Sequence, residues 1–348
     1  MPPRSGQSAG VVRRWPDAVR ASGSDASSAG VKSGNAQIDF QSDGTRFAGG
    51  TLTDLGVTNV AVTGKVYTPA VANITTPALN FGVVHVGDTV AQAIGVNNAA
   101  AVTALNDTLT GAIASTTGGV FSGSGTLGGG VAAGATDSSS LKIGLNTANS
   151  GTFSGQANLA LFSHDPDLAD LALATSPVTL TATVDNYAVA AFQKDSGAGG
   201  FSGSGGSFVL NFGNVTQGSG IESTALAVFN AATGLSDLLG GNLSVASGAG
   251  DFALAGLGAF SGLGAGQAAS AFVASFDPTA TGSLREVIDL TGTGSNASGY
   301  TQPLNATLLL EANVVPGGGG TNVPEPGTLG LLGGALAALL VARRRRRD

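Results

Sequence analysis

Apolar and polar residues alternate with a period of two along much of this 348-residue chain. In the segment 178–184 every second residue is apolar, and threonines fill the positions between them; the apolar set is Val178, Leu180, Ala182 and Val184. Because successive side chains of a strand point to opposite faces, this pattern predicts a strand with one buried face and one solvent face. Many such short segments are separated by Gly, Asn, Asp and Ser, so we predict an all-β fold of antiparallel sandwiches.

The chain contains an internal repeat. The segment 76–87 (TPALNFGVVHVG) recurs at 207–218 (SFVLNFGNVTQG), 131 residues further on. An alternating strand follows each copy and ends in an asparagine, Asn97 or Asn230. Similar closing strands complete both copies, and one further segment resembles the closing strands alone. We therefore predict a truncated sandwich and two complete ones, over residues 36–67, 68–190 and 191–313.

The truncated unit is expected to be weak on its own. Half a sandwich leaves its inner sheet face uncovered, so residues 36–67 should be poorly stable in isolation.

Residues 1–35 are rich in Ser, Gly, Ala and Asp and lack the apolar stretch of an export signal. We interpret them as a disordered or misassigned start, with the true start lying upstream.

The repeated box L-N-F-G has a packing logic. Leu79 and Phe81 should point together into a core, while Gly82 permits a bulge or a tight bend before the next strand. His85, which follows in the same strand, is expected to point to solvent.

This box, followed by a strand that ends in Asn, resembles the choice-of-anchor D type of repeat. The resemblance covers residues 76–190 and 207–313, although Gln217-Gly218 replaces the Val-Gly of the first copy. It implies immunoglobulin-like sandwiches of the kind found in bacterial surface proteins with interchangeable C-terminal anchors.

Composition narrows the possible partners and chemistry. The chain has 56 glycines, no cysteine and only 11% charged residues. Between residues 47 and 342 there are four basic and 17 acidic side chains. Such a surface cannot neutralise phosphates, so we expect no nucleic-acid partner. The absence of cysteine excludes disulfides and thiolate sites, and it is compatible with export.

The last 26 residues combine three ordered features. A proline-rich box comes first, a wholly Leu, Gly, Ala and Val run follows over 329–342, and arginines end the tail. The run is marginally short for a membrane-spanning helix, and the basic cluster would be kept on the cytoplasmic side. The box consists of Val323, Pro324, Glu325, Pro326 and Gly327, and the predicted membrane stop of Arg343, Arg344, Arg345, Arg346 and Arg347.

This tail, residues 323–348, closely resembles the PEP-CTERM sorting signal of Gram-negative bacteria. The resemblance implies an exosortase as partner, transient retention in the inner membrane, removal of the tail, and delivery to the cell surface or the exopolysaccharide matrix of a biofilm. Residues 314–322 are interpreted as a flexible linker that lets the processing enzyme reach the box. The alternative is a permanent C-terminal membrane anchor.

Candidate chemistry in the remainder is sparse. His85 and His164 have no metal-ligand spacing, and the Ser/Gly runs 121–125 and 201–206 are interpreted as flexible turns rather than nucleophile elbows. The densest carboxylate cluster is a weak calcium candidate, formed by Asp165, Asp167 and Asp170. We predict no catalytic residue, no cofactor and no other metal site.

Three functions remain open. The first is a non-catalytic surface or matrix protein whose repeats serve as spacers or adhesive modules, with exopolysaccharide or other surface proteins as possible partners. The second is an anchored envelope protein that binds a ligand or glycan, and the third is an envelope hydrolase. Glycan binding normally uses exposed aromatic platforms, but the only Trp is Trp15, and Tyr67 and Tyr187 are expected to be equivalent packing residues at the repeat ends.

Overall fold

The structure, a computed structural model, describes residues 26–248 and 250–318, and every regular element among them is a β-strand. The all-β prediction is therefore confirmed, whereas the predicted C-terminal helix lies outside the described residues. The strands are β1 (Gly30–Asp43), β2 (Leu52–Val66), β3 (Ala72–Ile74), β4 (Ala78–His85), β5 (Val90–Asn98), β6 (Thr108–Thr116), β7 (Phe121–Ser124), β8 (Thr136–Leu145), β9 (Gly151–His164), β10 (Leu171–Leu173), β11 (Val178–Asp185), β12 (Ala190–Gly197), β13 (Gly200–Ser204), β14 (Ser207–Thr216), β15 (Glu222–Asn230), β16 (Leu238–Gly248), β17 (Ala253–Ala255), β18 (Ala259–Leu263), β19 (Phe272–Phe276), β20 (Gly282–Ser295) and β21 (Thr301–Val315).

The chain divides into two compact units between Thr183 and Val184. The sequence placed this boundary at 190/191, but Asn186 already belongs to the second unit. Its backbone N–H donates to Leu235 O at 2.8 Å, and its carbonyl accepts from Asp237 N at 2.9 Å. The predicted linker also begins too early, because β21 continues to Val315.

The first complete repeat is a sandwich of two sheets. One sheet has the order β10-β9-β11-β4, with β6 also paired to β9, and the other has the order β3-β5-β8-β7. Phe81 on β4 and Phe121 on β7 bring the two sheets together, with ring centroids 6.0 Å apart. The closing strand β11 behaves as its alternation predicts, and its apolar set is almost fully buried: Val178, Leu180, Ala182 and Val184.

The second repeat has the same plan with a richer aromatic core. Its sheets have the orders β12-β15-β19-β17 and β13-β14-β21-β20-β16-β18. Phe192 and Phe272 from the first sheet and Ile288 from the second lie in one buried cluster. The strands β14 and β21 pair in parallel, which departs from the purely antiparallel expectation. This pairing joins the box strand to the closing strand.

The box itself is placed as predicted. Leu79 and Phe81 are buried, and Gly82 has a φ of 70°. Its counterpart Gly213 has a φ of 68°, and the β14–β21 register shifts between Asn211 and Asn214. The predicted bulge is therefore present in the second repeat, at a glycine whose left-handed backbone other residues rarely adopt.

The Ser/Gly runs are mostly strand, so the interpretation of both as flexible turns is wrong except at Gly205 and Gly206, which form the turn between β13 and β14. Residues 121–124 form β7 and residues 201–204 lie in β13, which pairs along the outer edge of β14. A side chain at Gly203 would lie 2.3 Å from the carbonyl oxygen of Ser207. Glycine is required there for a close approach between strands, and composition alone does not distinguish that role from a turn.

The first two strands form an isolated ribbon. β1 and β2 pair with each other in an antiparallel hairpin and with no other described strand. The ribbon begins at Gly30, six residues earlier than predicted. Val60 and Val62 of β2 are 44% and 48% exposed, so the apolar face of these closing strands is uncovered within the described residues.

Candidate functional site

A buried asparagine organises the same corner of both complete repeats. Asn98 is fully buried, donates to Asp107 O and Val131 O, and accepts from the backbone N–H groups of Val71 and Ala100. These four bonds tie the end of β5 to three separate loops. They satisfy the whole amide, which is the condition for burying it.

Asn230 repeats this arrangement in the second unit. It donates to Asp237 O and Leu263 O and accepts from Val189 N and Ala232 N. The equivalent of Asn230 is therefore Asn98, not Asn97 as the sequence comparison proposed. Its neighbour Asn97 is half-buried and instead donates to Ala135 O and Thr136 Oγ1.

The same bonds correct the equivalence of the tyrosines. Val71 and Val189 are equivalent, because the backbone N–H of each donates to the buried asparagine of its repeat. Three residues earlier, Thr68 and Asn186 make equivalent backbone hydrogen bonds. Tyr67 is therefore equivalent to Asp185 and not to Tyr187. In the second unit the Tyr187 and Tyr300 rings lie 6.0 Å apart, and Tyr187 is 39% exposed. This is a partly exposed aromatic pair, which the sequence comparison did not anticipate.

The two histidines occupy different environments. His85 is only 5% exposed, so the prediction that it points to solvent is wrong. It has the same parity along β4 as the inward residues Leu79 and Phe81, and this parity could have placed it correctly. His164 is exposed, and its Nδ1 lies 2.7 Å from Asp170 Oδ1. This hydrogen bond raises the pKa of His164 above its ordinary value.

The three carboxylates of the calcium candidate have separate partners. Asp165 is buried, and its Oδ1 accepts from the backbone N–H groups of Asp167 and Leu168. Asp167 pairs with Lys65 at 2.7 Å, and the hydrogen bond from Lys65 is the main reason why the pKa of Asp167 is lowered. Asp170 contacts His164. Among the described residues no group of three or more His, Asp or Glu side chains is arranged to hold a metal.

The sorting motif Val323 to Gly327 and the arginines Arg343 to Arg347 lie outside the described residues. Within 26–248 and 250–318, no helix has the length and apolarity needed to cross a membrane.

Residues 322–347 match the family described as the PEP-CTERM protein-sorting motif. The tail is a PEP-CTERM sorting signal. Such a signal implies an exported surface protein that an exosortase processes, and the resemblance seen in the sequence is confirmed for this segment. The match covers the tail alone.

The remaining comparisons concern the fold. No curated protein matches the sequence. Among solved structures, the extracellular domain of protocadherin GammaB4 aligns with 81% of this chain and 39% of its own, at 13% identity and a TM-score of 0.37. Mouse cadherin-23 EC22-24 aligns with 82% of this chain and 75% of its own, at 12% identity and a TM-score of 0.34. The ASH/PapD-like domain of human CEP192 aligns with 36% of this chain and 85% of its own, at 11% identity and a TM-score of 0.24. This chain thus spans well under half of the protocadherin chain.

Proposed function

We propose that this protein is a non-catalytic component of the bacterial cell surface or exopolysaccharide matrix, released from its tail by an exosortase and displaying its two sandwiches as spacer or adhesive modules. The observation that carries the proposal is the sorting motif over 322–347. The repeats supply folded units upstream of the tail, and their acidic, cysteine-free composition suits an extracellular setting.

The described side chains support a non-catalytic role. The exposed charged groups at and around residues 164–170 are paired, as in Lys65–Asp167 and His164–Asp170. The buried amides of Asn98 and Asn230 bond to the backbone of their own repeats. A glycosidase would need two carboxylates facing each other across a substrate cleft, and we assign no such pair.

A ligand-binding envelope protein is the second candidate, because Tyr187 and Tyr300 form a partly exposed aromatic pair. Aromatic faces of this kind can stack on a sugar or another planar group. Under this proposal the double variant Tyr187→Ala/Tyr300→Ala loses retention on exopolysaccharide prepared from the same host, whereas the exposed-site control Leu168→Ala keeps it. Equal retention of all three proteins would exclude this pair as the glycan contact.

Cell fractionation tests the main proposal. The chain, supplied with an export signal, is expressed in a host with an exosortase and in the same host without it. We expect the protein in the surface fraction of the first host and in the inner membrane of the second. The control variant Pro324→Ala/Pro326→Ala should remain in the inner membrane of both. Inner-membrane retention of the unaltered protein in both hosts would favour a permanent anchor.

A further inference from the structure

One buried carboxylate of the first repeat is incompletely paired. Asp107, which immediately precedes β6, is 7% exposed. Its Oδ2 accepts a hydrogen bond from Ser163 Oγ at 2.6 Å, whereas its Oδ1 is buried without a hydrogen-bond partner among the described residues. Burying a carboxylate oxygen with no donor costs free energy, which a hydrogen-bond donor or a bound cation would offset.

The second repeat shows how the equivalent oxygen is compensated. Asp237 precedes β16, lies at the same corner and is fully buried. Its Oδ1 accepts a hydrogen bond from Asn296 Nδ2 at 2.8 Å. In the second repeat, an amide donor therefore bonds to the carboxylate at this corner. In the first repeat, the equivalent carboxylate keeps one oxygen without a donor.

Strand register identifies the residue that replaces this donor. Thr108 is opposite His164 in the first repeat, and Leu238 is opposite Ser295 in the second. The next residues beyond these pairs are Asp107 and Asp165 in the first repeat and Asp237 and Asn296 in the second. Asp107 therefore corresponds to Asp237, and Asp165 corresponds to Asn296. The first repeat thus has a carboxylate where the second has an amide.

Two buried carboxylates consequently share one corner of the first repeat. Asp165 is 6% exposed, and its Oδ1 already accepts two backbone hydrogen bonds. Asp107 and Asp165 lie one position beyond the last pair of the β6–β9 ladder, Thr108 opposite His164, and like charges brought close at such positions repel each other. The nearby basic side chains Lys65 and His164 are bonded to Asp167 and Asp170, and no ion pair to Asp107 or Asp165 occurs within the described part of the chain.

We propose that Asp107 and Asp165 bind a divalent cation, calcium, between the end of β9 and the start of β6. Calcium prefers carboxylate and carbonyl oxygens, and it would compensate the buried carboxylate as the hydrogen bond from the Asn296 amide does in the second repeat. Backbone carbonyls and water complete its coordination. With only two carboxylates the site is weak, with a Kd on the order of 10⁻⁴ to 10⁻³ M, as in extracellular modules.

This site differs from the cluster expected from the sequence. Of Asp165, Asp167 and Asp170, only Asp165 takes part, and the second ligand, Asp107, lies just before β6, more than 50 residues earlier in the chain. The choice of calcium over other cations rests on the proposed export, whereas the pairing of Asp107 with Asp165 does not.

Exchanging the two corner residues tests the proposal. Thermal unfolding and calorimetric titration are measured on the full chain in detergent, with calcium and with chelator. We expect calcium to raise the unfolding temperature and to bind once per chain. Asp165→Asn introduces the amide of the second repeat while keeping the oxygen that caps the loop. This variant should lose calcium binding and be more stable than the unaltered protein in chelator.

The reciprocal variant and a matched control complete the design. Asn296→Asp should lower stability in chelator and introduce a second calcium response, whereas Asp167→Asn, at an exposed ion pair, should leave calcium binding unchanged. Calcium binding that persists undiminished in Asp165→Asn would overturn the proposal. So would an unaltered protein that has the same unfolding temperature in calcium as in chelator and shows no calcium binding in the titration.

Discussion

At the scale of single residues, one buried side chain recurs in both repeats with the same four bonds. Asn98 and Asn230 each donate twice and accept twice, and each joins the end of a core strand to neighbouring loops. A buried group with several partners is costly to truncate, because every partner left behind is also buried or must find water. These asparagines are therefore structural residues of the repeat.

Replacing Asn98 with Ala should lower the free energy of unfolding of the first repeat by about 2 to 4 kcal/mol, since four hydrogen bonds are lost in a buried site. Its half-buried neighbour provides a matched control, and Asn97→Ala should cost about 1 kcal/mol or less. Urea unfolding monitored in both variants measures the difference. Equal losses would show that the neighbour shares the structural role.

The His164–Asp170 pair gives the surface a pH-dependent contact. Hydrogen bonding to Asp170 raises the pKa of His164, so its stabilisation is complete below the unfolded pKa of about 6.5 and is lost as pH rises through the higher folded value. Both groups are exposed, so the effect should weaken as salt increases. NMR titration should give His164 a higher pKa in the unaltered protein than in Asp170→Asn. The same pKa in both proteins would contradict the pairing.

At the scale of elements, equivalent closing strands of the ribbon and of the first complete repeat differ in whether a second sheet covers them. Val62 of the ribbon and Leu180 of β11 both face inward in their alternation, and they align through the buried-asparagine frame. Leu180 is 1% exposed, whereas Val62 is 48% exposed. The same strand pattern is therefore a core element in the complete repeat and an uncovered surface in the ribbon.

This contrast predicts that truncating the two side chains to alanine lowers the free energy of unfolding by unequal amounts. Leu180→Ala should destabilise the first repeat by about 2 to 5 kcal/mol, because it leaves a cavity in a closed core. Val62→Ala should change stability by about 0.5 kcal/mol or less, as at other surface positions. Chemical unfolding of both variants, with hydrogen exchange over 30–66, measures the effect. A large loss from Val62→Ala would show that the ribbon face is covered in solution.

The box strand of the first repeat contains a glycine with a left-handed backbone. Gly82 has a φ of 70° and open space where a Cβ would lie, so Gly82→Ala is opposed by backbone strain rather than by a clash. We expect it to cost about 1 kcal/mol. Gly129 also has open space but no positive φ, so Gly129→Ala should be neutral or stabilising. A thermal melt of each variant compares them, and matching losses would contradict the conformational explanation.

Much of this element layout could be predicted from local pattern. Alternation identified the buried face of β11, and the repeated box located the bulge at Gly213. Strand edges were harder, because Gly-rich segments such as β13 are compatible with both a turn and a close strand pair. The one-residue error at Asn97 arose because register depends on hydrogen bonds between distant segments, which a self-comparison does not contain.

The proposed calcium site was likewise only partly predictable from the sequence. Asp165 was identified from sequence as part of a carboxylate cluster, but Asp107 was not, because 58 residues separate it from Asp165. Only the pairing of β6 with β9 brings these two residues to the same corner of the first repeat. The equivalent position in the second repeat, Asn296, shows which donor the first repeat lacks.

At the scale of the whole molecule, folded repeats and sorting tail have separate tasks. The repeats are stabilised by their own cores and by their internal hydrogen bonds. The tail carries the ordered PEP-CTERM features, and the family match over 322–347 depends on them rather than on the fold. The tail therefore determines where the protein goes, and we propose that the repeats determine what it does there.

Intact mass spectrometry of the surface species is the most direct test of this account. Material released from a host with an exosortase should lack the apolar run 329–342 and the terminal arginines, while Glu325→Ala material should keep its full mass and remain with the inner membrane. A surface species that retains the arginine cluster would contradict processing at the tail.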